Sequence, residues 1–230
     1  MANPVVERQL AYIVDPMCSW CWGFQPVIRR LVEIADGRAI LRIIVGGLRA
    51  YNTEPTDDTA KATIAEHWRH VGERTGQPFD FGFFERTDFI YDTEPACRAI
   101  VTTRGLDRAK AHDMLDALHR AFYAENRDIT SVDTLGEIAA EIGFEREKFV
   151  RELDSDAVRH ATRNDFVMAR QIGVTGFPTV LAGEKGAVFR VLTKGYQDFD
   201  ALEGPLSHWL DNEPEGEVRQ PANGASSAEV

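Results

Sequence analysis

The sequence is poor in cysteine. It has three in 230 residues, too few for a structural disulfide framework. It lacks an excess of basic residues: 26 Lys and Arg stand against 37 Asp and Glu, a net charge of −11. Clustered cations are what hold phosphates, so nucleic acid and anionic membranes are not expected partners. No apolar run approaches the roughly 20 residues that cross a bilayer. The segment from Met1 to Leu10 carries Glu7 and Arg8 and has no apolar stretch of signal-peptide type, so a cytoplasmic location is expected. Internal repeats are absent.

What is present reads as alternating strand and helix. Residues 9 to 14 form a short apolar strand ended by Asp15-Pro16. Val27, Ile28, Leu31, Val32 and Ile34 recur at helical spacing up to Asp36-Gly37, and residues 39 to 45 give a second strand broken by Gly46-Gly47. A strand–helix–strand unit of this length suits a parallel pair with a right-handed crossover. Helical patterns then run for more than a hundred residues, the first capped at Thr56-Asp57. The aromatic stretch Phe79 to Tyr91 reads as an irregular segment, either lining a cleft or forming the core of the helical block. Strands return at Thr179 to Ala182 and Ala187 to Leu192, around a Gly183 to Gly186 hairpin signal, and a helix closes the pattern over Asp198 to Leu210.

The order predicts an α/β class: a thioredoxin fold with a large all-helical insertion between its β-α-β and β-β-α halves. The expected core is 8–55 with 173–211, the inserted helical domain 56–172, and 212–230 a disordered tail rich in Glu, Gly, Pro, Ala and Ser.

Cys18 and Cys21 are two residues apart, directly after the first strand and at the start of a helix. The first helical turn offers unpaired N–H groups and a partial positive charge, which lower a thiol pKa. Cys18, at the turn, is the expected attacking thiol. Cys21, one turn along, is the expected resolving thiol. Two other readings compete. A zinc half-site would need two further ligands, and Cys97 stands alone with no histidine adjacent to a cysteine. Two buried cysteines acting as small hydrophobes would not explain the strand–turn–helix context. Far along the chain, Gly173 to Val180 holds Phe177-Pro178 at a strand start. A cis Pro178 facing the dithiol is expected, with Phe177 beside a bound substrate. Trp20 is expected in the substrate groove and Trp22 in the core. Cys97 is expected buried and inert, and the six histidines (His67, His70, His112, His119, His160, His208) at the surface.

These stretches resemble the DsbA-like thioredoxin superfamily, and within it the FrnE-like protein-disulfide isomerase branch, which bears Asp-Pro-x-Cys-x-Trp-Cys-Trp-Gly. The matching residues are Asp15 to Phe24, Gly46-Gly47-Leu48, Thr93 to Ala99, Ala121 to Tyr123 with Asp128 to Thr130, and Gly173 to Thr179. The resemblance spans about residues 9 to 210. It implies disulfide exchange through Cys18 and Cys21, with a helical lid inserted in the core. The chain departs from the superfamily where a buried acid stands six residues before the first cysteine: here the place is taken by Tyr12, and the nearest acid is Asp15. The Ser19-Trp20 pair between the cysteines is also unlike its usual counterparts.

The expected function is a thiol–disulfide oxidoreductase or isomerase that needs no cofactor beyond its own dithiol, with glutathione as an available reductant and no metal. Its substrate would be a disulfide-containing protein or a small thiol. Two other classes stay open: a glutathione-dependent isomerase or transferase of the kappa type, whose members usually carry Ser at the first cysteine, and a non-enzymatic redox-sensing interaction module.

Overall fold

The structure is a computed structural model that describes residues 7–212. Strand β1 (Arg8–Val14) is apolar on both faces and buried along almost its whole length. It pairs in parallel with β2 (Ile40–Val45) and antiparallel with β3 (Thr179–Glu184), which in turn pairs antiparallel with β4 (Arg190–Lys194). The sheet order is β2-β1-β3-β4. Helix α1 (Ser19–Ala35) makes the crossover from β1 to β2, and α8 (Phe199–Asp211) packs beside α1. This is the thioredoxin fold expected from the element order.

Between β2 and β3 lie six helices: α2 (Asp58–Thr75), α3 (Glu94–Leu106), α4 (Ala111–His119), α5 (Val132–Glu141), α6 (Arg146–Leu153) and α7 (Asp156–Gln171). Their starts follow local chemistry. The Asp57 carboxylate caps α2 by accepting the Ala60 N–H, and α2 ends at Gly76 in the left-handed conformation. The aromatic stretch forms a short 3-10 turn, Phe81–Glu85, and packs around Trp68. Phe79, Phe83, Phe84 and Tyr123 all place their rings 4.8–5.3 Å from the Trp68 centroid. The run is therefore the core of the helical block, not the wall of a cleft.

The insertion is also fastened to the sheet. Among the described residues, the outer edge of β2 has no strand beside it. In its place Asp165 of α7 accepts the Val45 N–H at 3.1 Å, and Arg104 of α3 donates to the Ile43 carbonyl at 2.7 Å. Arg104 and Asp165 pair through two contacts of 2.7 and 3.0 Å. Two side chains thus satisfy backbone groups that a neighbouring strand would otherwise take.

Two expectations are corrected. The hairpin is longer and shifted: β3 continues to Glu184, and β4 begins at Arg190 rather than Ala187. Gly183 is a paired strand residue opposite Gln9, and its missing side chain makes room for Phe189, whose ring a Cβ would meet at 2.7 Å. The turn falls at Gly186, with φ of +86°, so Ala187 and Val188 are loop and Val188 is exposed. His119 was expected at the surface and is fully buried. It lies four residues after buried Leu115 and so shares the inner face of α4, directly before a π turn over Arg120–Ala124. The tail expected over 212–230 lies, apart from Asn212, outside the described residues.

Candidate active site at the dithiol

The site grows out of the end of β1. Asp15-Pro16 turns the chain, and the Cys18 N–H donates back to the Asp15 carbonyl at 3.0 Å. Cys18 is the N-cap of α1, with extended backbone angles, and its carbonyl accepts the N–H groups of Cys21 and Trp22. No side chain caps the first turn and no acidic residue lies in it. The positive end of the helix therefore faces Cys18 with no carboxylate inside the first turn itself.

Cys21 is fully buried and Cys18 is 8% exposed. Burial pushes the Cys21 thiol well above its ordinary range, and the adjacent Cys18 sulfur pushes the same way. The Cys18 Sγ lies 3.8 Å from the carbonyl of Phe177, and the Phe177–Pro178 peptide is cis. The structure thus brings the Cys18–Cys21 pair beside Phe177 and Pro178, about 160 positions further along the sequence. Pro178 leads into β3, where Thr179 pairs with Ile13.

The Phe177 ring is seated by a glycine. A Cβ at Gly46 would lie 2.0 Å from that ring, so only glycine leaves room for it. The neighbouring Gly47 adopts a positive φ of +68°, and the Leu48 N–H donates to Asp15 Oδ2 at 2.6 Å. Asp15 is fully buried and also accepts the Met17 N–H at 2.9 Å and the Cys97 thiol at 3.5 Å. Burial raises its pKa while these donors hold it down, burial being the larger effect. One carboxylate therefore ties the dithiol turn, the loop after β2 and the start of α3 together. Cys97 is buried, as expected, and its thiol pKa is raised by burial and by Asp15.

Beside the dithiol lies a groove of about 550 Å³. Trp20, Phe177, Tyr196 and Asp198 line it, together with His70 and Arg74 of α2. Trp20 packs 5.5 Å from the Tyr196 ring and edge-on to His70. Arg74 pairs with Asp198, which also accepts the Tyr196 hydroxyl at 3.0 Å. Trp20 is thus one of the side chains that line this groove. His70 and Arg74 had no motif to mark them, because their position depends on how α2 docks.

Trp22 is core, as expected, but it also stitches the insertion to α1. Pro26 has no N–H to give to the Trp22 carbonyl, and the Gln77 side-chain amide donates there instead at 2.9 Å. The Trp22 indole N–H donates to the Pro78 carbonyl at 3.0 Å. At Gly23 a Cβ would meet Val71 at 2.8 Å, so the glycine lets α2 approach. Tyr12, in the place of the usual buried acid, is fully buried, and burial together with the Cys21 and Cys18 thiols pushes its hydroxyl pKa well above the ordinary range. Among the described residues, no three His, Cys, Asp or Glu side chains converge to hold a metal.

Known proteins resemble this chain to different degrees. A solved structure from Nitrosomonas europaea, provisionally assigned as a protein disulfide isomerase, is 35% identical with a TM-score of 0.81, covering 89% of this chain and 98% of that one. The cytosolic disulfide reductase DsbM from Pseudomonas aeruginosa is 26% identical with a TM-score of 0.69, covering 88% and 95%. Among curated proteins, the ClpXP adapter protein SpxH of Bacillus subtilis is 26% identical over 92% of this chain and 71% of its own length. The DSBA-like thioredoxin domain matches residues 10–207, and the chain belongs to that family.

Proposed function

We propose that the chain is a thiol–disulfide oxidoreductase acting through Cys18 and Cys21, with Trp20, Phe177 and Pro178 forming the substrate contact. The observation that carries this reading is the placement of Cys18: at the start of α1, with its sulfur 3.8 Å from the carbonyl that precedes cis-Pro178, and with Cys21 buried one turn behind it. The Cys18 thiolate attacks a substrate disulfide, one substrate sulfur leaves as a thiol, and a mixed disulfide remains. Cys21 then loses its proton and attacks Cys18 Sγ. The second substrate sulfur leaves and takes up a proton, and the chain is left with a Cys18–Cys21 disulfide. The substrate gains two electrons and the dithiol gives two.

The reading includes a reducing or isomerising direction and a cytoplasmic setting. It is supported by the likeness to a cytosolic disulfide reductase. No helix among the described residues is long and apolar enough to cross a membrane. The working group is the dithiol alone, and glutathione is a suitable reductant to regenerate it. The substrate is a disulfide-bonded protein or a small disulfide.

The test is reduction of insulin disulfides, with trapping of intermediates by acid quench and mass spectrometry. Cys21→Ser should accumulate a mixed disulfide at Cys18, and Cys18→Ser should lose turnover. Full activity in Cys18→Ser would refute the reading. A transferase of the kappa type would instead survive Cys21→Ser. A second reading, an adapter that delivers a partner protein, is favoured by the SpxH relatives. It is distinguished by a Cys18→Ser/Cys21→Ser variant, which keeps partner binding if the thiols are not needed.

A further inference from the structure

A second, smaller cavity of about 280 Å³ lies between the loop after β2 and α7. No residue lines both this cavity and the groove beside Trp20. Arg163, Phe166, Val167 and Arg170 of α7 line it. They stand at positions i, i+3, i+4 and i+7, which share one side of a helix. Gly47 and Tyr51 line it from the loop. The two arginines are about 10 Å apart along the helix axis, with the apolar Phe166 and Val167 between them.

The charge of this cavity is one-sided, for no acid lines it. Arg163 Nε donates to the Tyr51 hydroxyl at 3.4 Å. Among the described residues, neither Arg163 nor Arg170 has a carboxylate partner. Asp165, the acid nearest Arg163 on α7, is taken by Arg104. The chain carries 37 acidic against 26 basic residues, so two guanidiniums sharing a cavity without a counter-charge stand out.

The loop wall is held in a strained shape. Tyr51 has a φ of +68°, in the left-handed region that bulky side chains rarely enter. The Asp92 carboxylate fixes this turn by accepting the Tyr51 N–H at 2.7 Å. The Tyr51 ring stands edge-on to Phe166 at 6.2 Å. Strained residues of this kind gather at binding sites, where the surrounding structure holds them. At Gly47 a Cβ would lie 2.9 Å from the Phe166 ring, so glycine lets the loop backbone come down on that ring. Phe166 is buried, whereas Tyr51 and Val167 are exposed, so the cavity opens to solvent.

We propose that this cavity binds a small organic acid, with its carboxylate on the Arg163 and Arg170 guanidiniums and its apolar body on Phe166, Val167 and the Tyr51 ring. A guanidinium donates two parallel N–H bonds to a carboxylate. The Tyr51 hydroxyl accepts from Arg163, which leaves its own proton free to donate to the ligand. The volume is at the small end for ligand sites and suits a single-ring acid better than a peptide. A bare inorganic anion would leave the apolar floor unused.

The probe is benzoate, titrated into the full isotope-labelled chain and followed by its backbone amide signals. The signals of Gly47, Tyr51 and Val167 should shift together and saturate. Acetate lacks the ring and benzamide lacks the charge, and each should bind about fivefold more weakly or worse. Arg163→Gln and Arg170→Gln should each weaken benzoate by about fivefold, with the thermal midpoint near the parent. Tyr51→Gly relieves the backbone and removes the ring, so it should fold as well as the parent and bind benzoate more weakly. Shifts that do not saturate, or that scatter over the surface, would overturn the proposal. So would acetate or benzamide binding as tightly as benzoate, or parent affinity in any of the three variants. Both cysteines lie outside the cavity, so the Cys18→Ser/Cys21→Ser variant should bind benzoate like the parent, and the result stands apart from the dithiol reading.

Discussion

Gly46 is remote in sequence from both cysteines, yet replacing it should disturb the site. In Gly46→Ala the new methyl carbon would stand 2.0 and 2.1 Å from two carbons of the Phe177 ring and 3.1 Å from a third. An ordinary carbon contact is about 3.5–4.0 Å, so the ring must move by more than 1 Å. The closest atoms are the far end of a half-buried ring that also walls the groove, so the ring has somewhere to go. The cost in stability should therefore fall at the low end for overpacking, about 1 kcal/mol, visible as a small shift in the urea midpoint. The larger effect should be on the groove. The ring swings into the space beside Trp20, and the Phe177 carbonyl shifts from its place 3.8 Å from Cys18. A rise in KM for insulin reduction, with Cys18 alkylation unchanged, is expected. The decisive measurement is a double-mutant cycle with Phe177→Ala. Once the ring is gone, the methyl group has nothing to strike, and adding Gly46→Ala should cost almost nothing. Additive effects, or a Gly46→Ala variant with parent stability and parent KM, would refute the cradle.

Other predictions concern the frame around the site. Asp165→Ala removes the acceptor of the Val45 N–H and the partner of Arg104 together. Breaking such a pair costs about 3–5 kcal/mol when it is buried, and Arg104 is partly exposed, so about 3 kcal/mol is expected in urea unfolding. Asp165→Asn, which still accepts from Val45, should lose less. Stability should also depend on pH through His119. Its pKa is lowered from 6.5 to about 4. Between those values the unfolded chain binds a proton that the folded chain does not, so stability falls as pH drops from 6.5 toward 4. A shift of this size is worth about 3 kcal/mol. Asp15, whose pKa is raised, acts in the opposite sense just above pH 3.8. Urea midpoints at pH 4.5 and pH 7 should therefore differ less in His119→Leu than in the parent. An equal difference in both would exclude His119 as the source.

The dithiol and its cis-proline loop were legible because their signals are local: apolar runs of the right length, Pro and Gly as punctuation, and a cysteine spacing of one helical turn. What the sequence hid depends on distant packing or on broken periodicity. His119 was missed because histidine is usually a surface residue, although it follows buried Leu115 by four positions and so shares the inner face of α4. Ala187-Val188 carries the apolar pattern of a strand, but β1 holds β3 in pairing as far as Glu184, which moves the turn onward. Asp15 was visible as the nearest acid to Cys18. Its role as a clamp on Leu48 and Cys97 was not, because those partners come from the loop after β2 and from α3. Gly46 read as a strand breaker, and its service to Phe177 is a contact across 131 positions.

The side chains that close the edge of β2 bear on how the protein behaves at high concentration. An open strand edge is a template on which a second chain can form hydrogen bonds, and self-association through such edges leads to aggregates. Around Val45 that template is taken. A foreign strand would have to displace the Asp165 carboxylate from the Val45 N–H and Arg104 from the Ile43 carbonyl, separating a charged pair as it did so. Variants that lose Arg104 or Asp165 would expose this edge while most of the sheet remained folded. Their first symptom in the cell would then be loss of soluble protein, ahead of any change in the chemistry at the cysteines.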